Sequence, residues 1–182
     1  MWKTWILLLG LGAGLAGLAG CGGIDVTHYR EQTPPLELRQ FFSGRVEAWG
    51  LFQKRSGEVI KRFHVVIDSH SEGDTFVMHE DFTYSDGTRQ TRIWTLHPDG
   101  PGIWRGTAGD VVGEALGEVC GNTLRWRYVL NLPVDGKTYQ VHFDDWMYLL
   151  DENTLANRSY MTKFGVELGQ VTLFFRRQPG QS

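Results

Sequence analysis

Glu80 sits among Phe76, Met78, Phe82 and Tyr84, which share its parity in the run Thr75–Tyr84, and Arg92 follows in the next run, Thr91–Leu96. Alternate side chains of a strand point to the same face. Glu80 is therefore an acid on an apolar face, and Arg92 is the cross-strand cation that could neutralise it. Asp145 has the same oddity: Tyr139, Val141 and Phe143 share its parity, whereas His142 and Asp144 take the other face. A buried carboxylate needs a cation or several donors, and Arg158 or Lys163 could supply one. Arg125 and Arg127 flank Trp126. Facing inward, they could grip a carboxylate or phosphate through paired hydrogen bonds. Facing outward, they would leave Leu124, Trp126, Tyr128, Leu130 and Leu132 to the core, which is the more ordinary arrangement. The chemistry on offer is recognition. Glu80, Arg92, Arg125, Arg127 and Asp145 are candidate contacts for the polar end of a ligand, and structural ion pairs are the competing reading.

The chain carries no signature of bond-making chemistry. There is no Gly-x-Ser-x-Gly, and Ser43 beside Gly44 has no identifiable base. The glycine cluster at 106–117 lacks the Lys-Ser/Thr of a phosphate-cradling loop. Zinc needs three or four convergent ligands, and the spacing of His64, His70 and His79 does not supply them. The reading assigns no catalytic residue, no metal and no cofactor.

The elements that position these residues are strands. Turn signals recur at Ser71–Asp74, Ser85–Gly87, Pro98–Pro101, Gly121-Asn122, Asp135-Gly136 and Asp151–Asn153. Between them lie runs rich in Val, Ile, Thr, Tyr, Phe and Trp, among them Thr123–Leu132, Tyr139–Leu150 and Gln170–Arg176. From Phe41 onward, Phe42, Gly44, Val46, Ala48, Gly50 and Phe52 fall on one face. Asp-Gly and Gly-Asn turns join antiparallel hairpins, and nine or ten strands are counted. Asp110–Glu118 is the one place in the domain for a short helix, weakened by Gly113 and Gly117. Sequential hairpins without a crossover helix predict an all-β, antiparallel up-and-down barrel of lipocalin or fatty-acid-binding type, because closure removes both sheet edges. A two-sheet sandwich is the alternative. A membrane-spanning barrel is excluded, since charges such as Glu80-Asp81 and Asp144-Asp145 fall on both strand faces.

The N-terminus is an address. Lys3 precedes an uncharged run from Trp5 to Ala19 that ends in Leu18-Ala19-Gly20-Cys21. Charge, apolar run and small residues make a secretory signal, and the run is shorter than the roughly 20 residues of a spanning helix. Leu18-Ala19-Gly20-Cys21 resembles the lipobox of bacterial lipoproteins, which implies lipidation of Cys21 and cleavage before it. Gly22 in place of Asp implies sorting to the outer membrane, facing the periplasm, if the source is Gram-negative. The expected organisation is a signal peptide over 1–20, a lipidated cysteine and extended tether over 21–38, one β-domain over 39–178 and a tail over 179–182. With Cys21 lipidated, Cys120 has no disulfide partner and reads as a small core residue. Losing Lys3 takes the formal net charge from −3 to −4. With no basic run, the chain shows no nucleic-acid footprint.

Several blocks carry a wider resemblance: Phe42-Ser-Gly44 with Ala48-Trp49-Gly50, Glu80–Gly87, Arg92-Ile93-Trp94, Gly106–Val111, Trp126-Arg127-Tyr128, Asp144–Met147 and Asn157–Gly165. Together they resemble domain of unknown function family 3833, a group of bacterial lipoproteins. The resemblance implies a lipoprotein with a β-rich domain and no activity. The function expected is an envelope lipoprotein, held to the membrane by its N-terminal lipid, whose barrel binds a lipid-like or other apolar ligand. A structural or assembly lipoprotein that docks an unidentified protein partner is the second reading. An enzyme acting on lipid or envelope substrates is the last.

Overall fold

The computed structural model describes residues 23–134 and 136–178. The signal segment and Cys21 lie outside the described residues, as do Asp135 and the tail. Ten strands form one closed antiparallel barrel: β1 (Gly44–Lys54), β2 (Val59–Glu72), β3 (Thr75–Tyr84), β4 (Arg89–Pro98), β5 (Ile103–Thr107), β6 (Ala115–Cys120), β7 (Thr123–Val134), β8 (Lys137–Asp151), β9 (Thr154–Lys163) and β10 (Val166–Arg177). Each strand pairs with its neighbour in sequence, and β10 closes on β1 through Val46↔Arg177 to Lys54↔Gly169. Closure leaves neither end strand with a free edge, which is its physical gain. The sandwich alternative is therefore set aside.

Period-two alternation fixes which face is inside. Val46 and Ala48 of β1, Phe63, Val65 and Ile67 of β2, and Phe76 and Met78 of β3 are buried, while Trp49 and Ile93 on the other parity are exposed. The segment 110–118 is not helical: β6 begins at Ala115, and residues 108–114 form a loop. A short helix α1 (Leu38–Phe42) replaces the expected start of the first strand. Leu38, Phe41 and Phe42 have the i, i+3, i+4 spacing of one helix stripe. All three are buried, so α1 plugs the end of the barrel where β1 begins. Phe42 meets Phe175 edge to face at 5.7 Å.

The expected tether also packs. Residues Val26–Tyr29 form a 3-10 turn capped by Asp25, which accepts from the Thr27 amide at 2.9 Å. Val26 and Leu36 are buried, and Tyr29 lies against Trp146 and Tyr148 on the outside of β8. Burial of these apolar side chains outweighs the stiffness of Pro34-Pro35, so the segment straps the outer wall instead of standing off it. Leu36 donates its amide to the Gly121 carbonyl at 2.8 Å. Gly121, at φ +56, sits so close under this strap that a Cβ would collide with the Tyr29 carbonyl. Gly121→Ala should therefore lower stability by about 2 kcal/mol or more, read as a fall in the urea midpoint. An unchanged midpoint would mean that the strap does not bear on Gly121. Cys120 beside it is half-buried and a free thiol, not the enclosed core residue expected.

Candidate ligand cavity

The barrel is hollow. A cavity of about 680 Å³ runs along its axis, inside the roughly 300–1,000 Å³ span of small-molecule sites. Leu38 and Phe42 of α1 floor it, and exposed Ile60, Thr88 and Arg89 with half-buried Lys61 line it at the opposite rim, so its mouth opens there. Most of the wall is apolar, with Phe63, Phe82, Trp94, Trp126 and Phe143 among the aromatics. Trp126 packs flat against the wall because Gly106 and Gly117 present no Cβ beneath its ring.

Across this apolar lining runs a polar belt. Glu80 on β3 stands directly opposite Arg92 on β4, with Nη1 to Oε2 at 3.7 Å and each side chain 13 % exposed. Arg92 makes its hydrogen bonds elsewhere. Its Nε donates to both Asp110 carboxylate oxygens at 3.0 Å, and Nη2 donates to Oδ2 at 2.8 Å. Asp110 arrives from the 108–114 loop. β5 and β6 are short, so β4 and β7 outrun them toward the mouth. The loop fills the gap by bridging Val111 to Leu130 and by taking the Asn131 amide onto the Asp110 carbonyl at 2.8 Å. Burial pushes the Glu80 carboxyl up to about 7 despite the Arg92 charge beside it. Burial alone would weaken the Arg92 charge, but Glu80 and Asp110 more than offset this and hold the guanidinium firmly protonated.

The second half of the belt lies on β7, β8 and β9. Asp145 faces Ser159 across the β8–β9 pair, and Asn157 follows two residues along, opposite Met147. The Tyr128 hydroxyl donates to Asp145 Oδ2 at 3.4 Å. Asp145, Asn157 and Ser159 are 6 %, 4 % and 2 % exposed, so whatever hydrogen bonds they lack in the protein are not made to bulk water. Among the described residues, Asp145 Oδ1, Asn157 Oδ1, Ser159 Oγ and Glu80 Oε2 have no hydrogen-bond partner of proper geometry. Burial pushes the Asp145 carboxyl up to about 7, tempered by the nearby Ser159 and Tyr128 hydroxyls. Burial likewise lifts the Tyr128 phenol well above its usual range.

The structure thus brings Glu80, Arg92 and Asp145 to one cavity and keeps Arg125 and Arg127 out of it. Trp126 and Tyr128 take the inward parity, which leaves both arginines on the outer wall. There Arg125 grips Asp144 through two bonds at 2.8 Å and covers Trp146 at 4.7 Å, and Arg127 pairs with Glu118. Their inward reading is corrected: the apolar side chains between them claim the interior. Arg158 is exposed on the outer face, and Lys163 lies over Tyr139 and Phe164 at the rim, so neither serves Asp145. Partly exposed pairs of this kind contribute about 1 kcal/mol or less. Arg127→Ala should therefore shift the unfolding free energy by no more than that and leave cavity binding unchanged. Lost binding would place Arg127 in the site.

Tyr128, Asn157, Ser159 and Asp110 were missed from sequence. For Asn157 and Ser159 the signal existed, since they interrupt Leu155 and Met161 on one parity. For Asp110 none existed, because its loop carries no strand period. Among the described residues no three His, Cys, Asp or Glu side chains converge as a metal would require, and no helix is long and apolar enough to cross a membrane.

Known structures share this barrel. An S-type phycobiliprotein lyase, CPES from Guillardia theta, superposes with a TM-score of 0.59 at 8 % identity, covering 80 % of this chain and 95 % of its own. Rv2717c from M. tuberculosis superposes with a TM-score of 0.57 at 14 % identity, covering 81 % of this chain and 99 % of its own. At such identities the likeness is one of fold, a lipocalin-like barrel, and not of activity. No curated protein matches the sequence. The family pattern described as "Protein of unknown function (DUF3833)" matches residues 15–177, nearly the whole chain, and the protein belongs to that family.

Proposed function

We propose that this chain is a lipid-anchored envelope protein whose barrel holds one lipid-like or similarly apolar small molecule. The observation that carries the reading is the hollow interior, floored by α1, open at one rim and crossed by a belt of buried polar groups. An apolar cavity with a few convergent polar groups is the usual form of a small-molecule site. The barrel likeness to the lyase supports a small-molecule ligand at the level of fold. The anchor is Cys21, at the end of the apolar run and its small residues. Asp25 caps the Val26–Tyr29 turn, whose Tyr29 packs on the outer wall against Trp146 and Tyr148. A lipid on Cys21 would then tether the barrel within about 15 Å of the bilayer, at roughly 3.5 Å per residue.

Native mass spectrometry tests the cavity reading. The chain from Gly23 onward, which keeps Val26 and Tyr29 on the wall, is made in a periplasm without its anchor. A discrete added mass that extracts into organic solvent is expected. A clean unliganded mass, with no uptake from an offered lipid extract, would overturn the reading. Intact mass of the membrane-extracted full chain tests the anchor: acyl mass on Cys21 that disappears in Cys21→Ala is expected, and an unmodified thiol would contradict it.

A further inference from the structure

The polar belt has a sign. Below the rim, where Lys61 and Arg89 stand, one guanidinium faces three carboxyl groups, those of Glu80, Asp110 and Asp145. Arg92, among the described residues the only arginine lining the cavity below its rim, has no fork left to offer. Asp110 takes Nε and Nη2 in a bidentate grip, and Nη1 is directed at Glu80. An incoming carboxylate or phosphate would have to displace Asp110 and would then sit among buried acids, where like charges repel strongly. The groups that lack partners are of the opposite kind. Once ionised, as it is at pH 8, Asp145 Oδ1 can only accept, as Asn157 Oδ1 does, and Ser159 Oγ, which can accept as well as donate, stands beside them across the β8–β9 pair. All three residues are more than nine-tenths buried and line the cavity. A buried acceptor left unpaired destabilises the fold, and a donor on the ligand would remove that cost.

We propose that the ligand's polar end is a hydrogen-bond donor without negative charge, an amine or a hydroxyl, seated against Asp145, Asn157 and Ser159. This rests on the reading of the interior as a ligand site and narrows it: fatty acids and other anionic amphiphiles are the wrong class. The head group lies on the β8–β9 wall opposite the Arg92 cluster, and the chain extends along Phe63, Trp94 and Trp126.

Photolabelling tests the assignment. The full chain, lipid anchor included, is reconstituted into neutral vesicles. It is offered photoreactive sixteen-carbon probes that differ only in the head group: a primary amine, an alcohol and a carboxylic acid. At pH 8 the amine, the alcohol or both should label cavity-lining peptides about tenfold more than the acid does. Asp145→Asn keeps an acceptor but removes the charge, and should cut amine labelling several-fold while alcohol labelling is retained. Ser159→Ala, which alters no charge, should reduce alcohol labelling and guards against a fold defect in the Asp145 variant. Acid labelling equal to or above both other probes would overturn the head-group assignment alone. An amine-to-acid ratio unmoved by Asp145→Asn together with alcohol labelling unmoved by Ser159→Ala would do the same. If no probe labels the interior, the ligand-site reading itself fails.

Discussion

Between about pH 4.5 and pH 7.5 the unfolding free energy of this protein should fall as pH rises, by several kcal/mol. Glu80 and Asp145 drive the effect. Both carboxyls are pushed up to about 7 by burial, from ordinary values of 4.5 and 3.8. Well below these ordinary values both are protonated in the folded and the unfolded chain and contribute no slope. As pH passes the ordinary values the unfolded chain releases its protons while the folded chain keeps them. The native state then binds more protons, so stability drops with rising pH. Above about 7 the native groups ionise too and the loss levels off. Each pKa unit corresponds to about 1.4 kcal/mol, which makes the destabilisation about 3 kcal/mol for Glu80 and about 4 kcal/mol for Asp145. Urea unfolding followed across this range checks it. Glu80→Gln combined with Asp145→Asn should flatten the curve and raise stability at pH 8. A wild-type curve that rises through this window would show that the two carboxylates are stabilised in the fold and not merely buried.

Arg92→Met should be the most damaging single substitution in the cavity at pH 8, at about 3–5 kcal/mol, the usual effect of removing one member of a buried ion pair. Met keeps the length and apolar stem but leaves Glu80 and Asp110 without their cation. Glu80 is 13 % exposed and Asp110 26 %, so Asp110 recovers part of its hydration and Glu80 does not. Protonation relieves Glu80, so the deficit should shrink by more than half at pH 5. Glu80→Gln in the Arg92→Met background should restore part of the stability, and the double-mutant cycle then isolates the Glu80–Arg92 coupling. A deficit independent of pH and unrelieved by Glu80→Gln would assign the loss to packing against Phe82, which Arg92 covers at 5.4 Å.

Much of this architecture was legible because a strand writes its two faces in alternate residues. Glu80 and Asp145 could be placed inside before any coordinates, each being the one charge on an apolar parity. The same rule spoke against Arg125 and Arg127, since Trp126 and Tyr128 cannot point inward together with them. What escaped had no period to read. Asp110 reaches Arg92 from a loop whose path depends on the shortness of β5 and β6. The strap over Gly121 depends on Tyr29 finding Trp146 and Tyr148, residues more than a hundred positions away. In α1, Phe42 lies two residues before Gly44 and so continued the alternation of β1. Only the stripe made with Leu38 and Phe41 distinguishes it as helical. Asn157 and Ser159 were readable by parity, but small neutral side chains in a strand attract less notice than charges.

A fluorescence titration shows whether the barrel interior is a binding space. Trp94 and Trp126 line the cavity and can pass excitation to an uncharged naphthylamine probe bound beside them. Saturable energy transfer at one probe per barrel is expected. Leu132→Trp, which fills the partly buried mouth-side wall, should abolish the transfer while leaving the thermal unfolding transition cooperative. Transfer that never saturates, or that survives unchanged in a folded Leu132→Trp variant, would show that the probe sits on the outer wall and that the cavity is not a binding site.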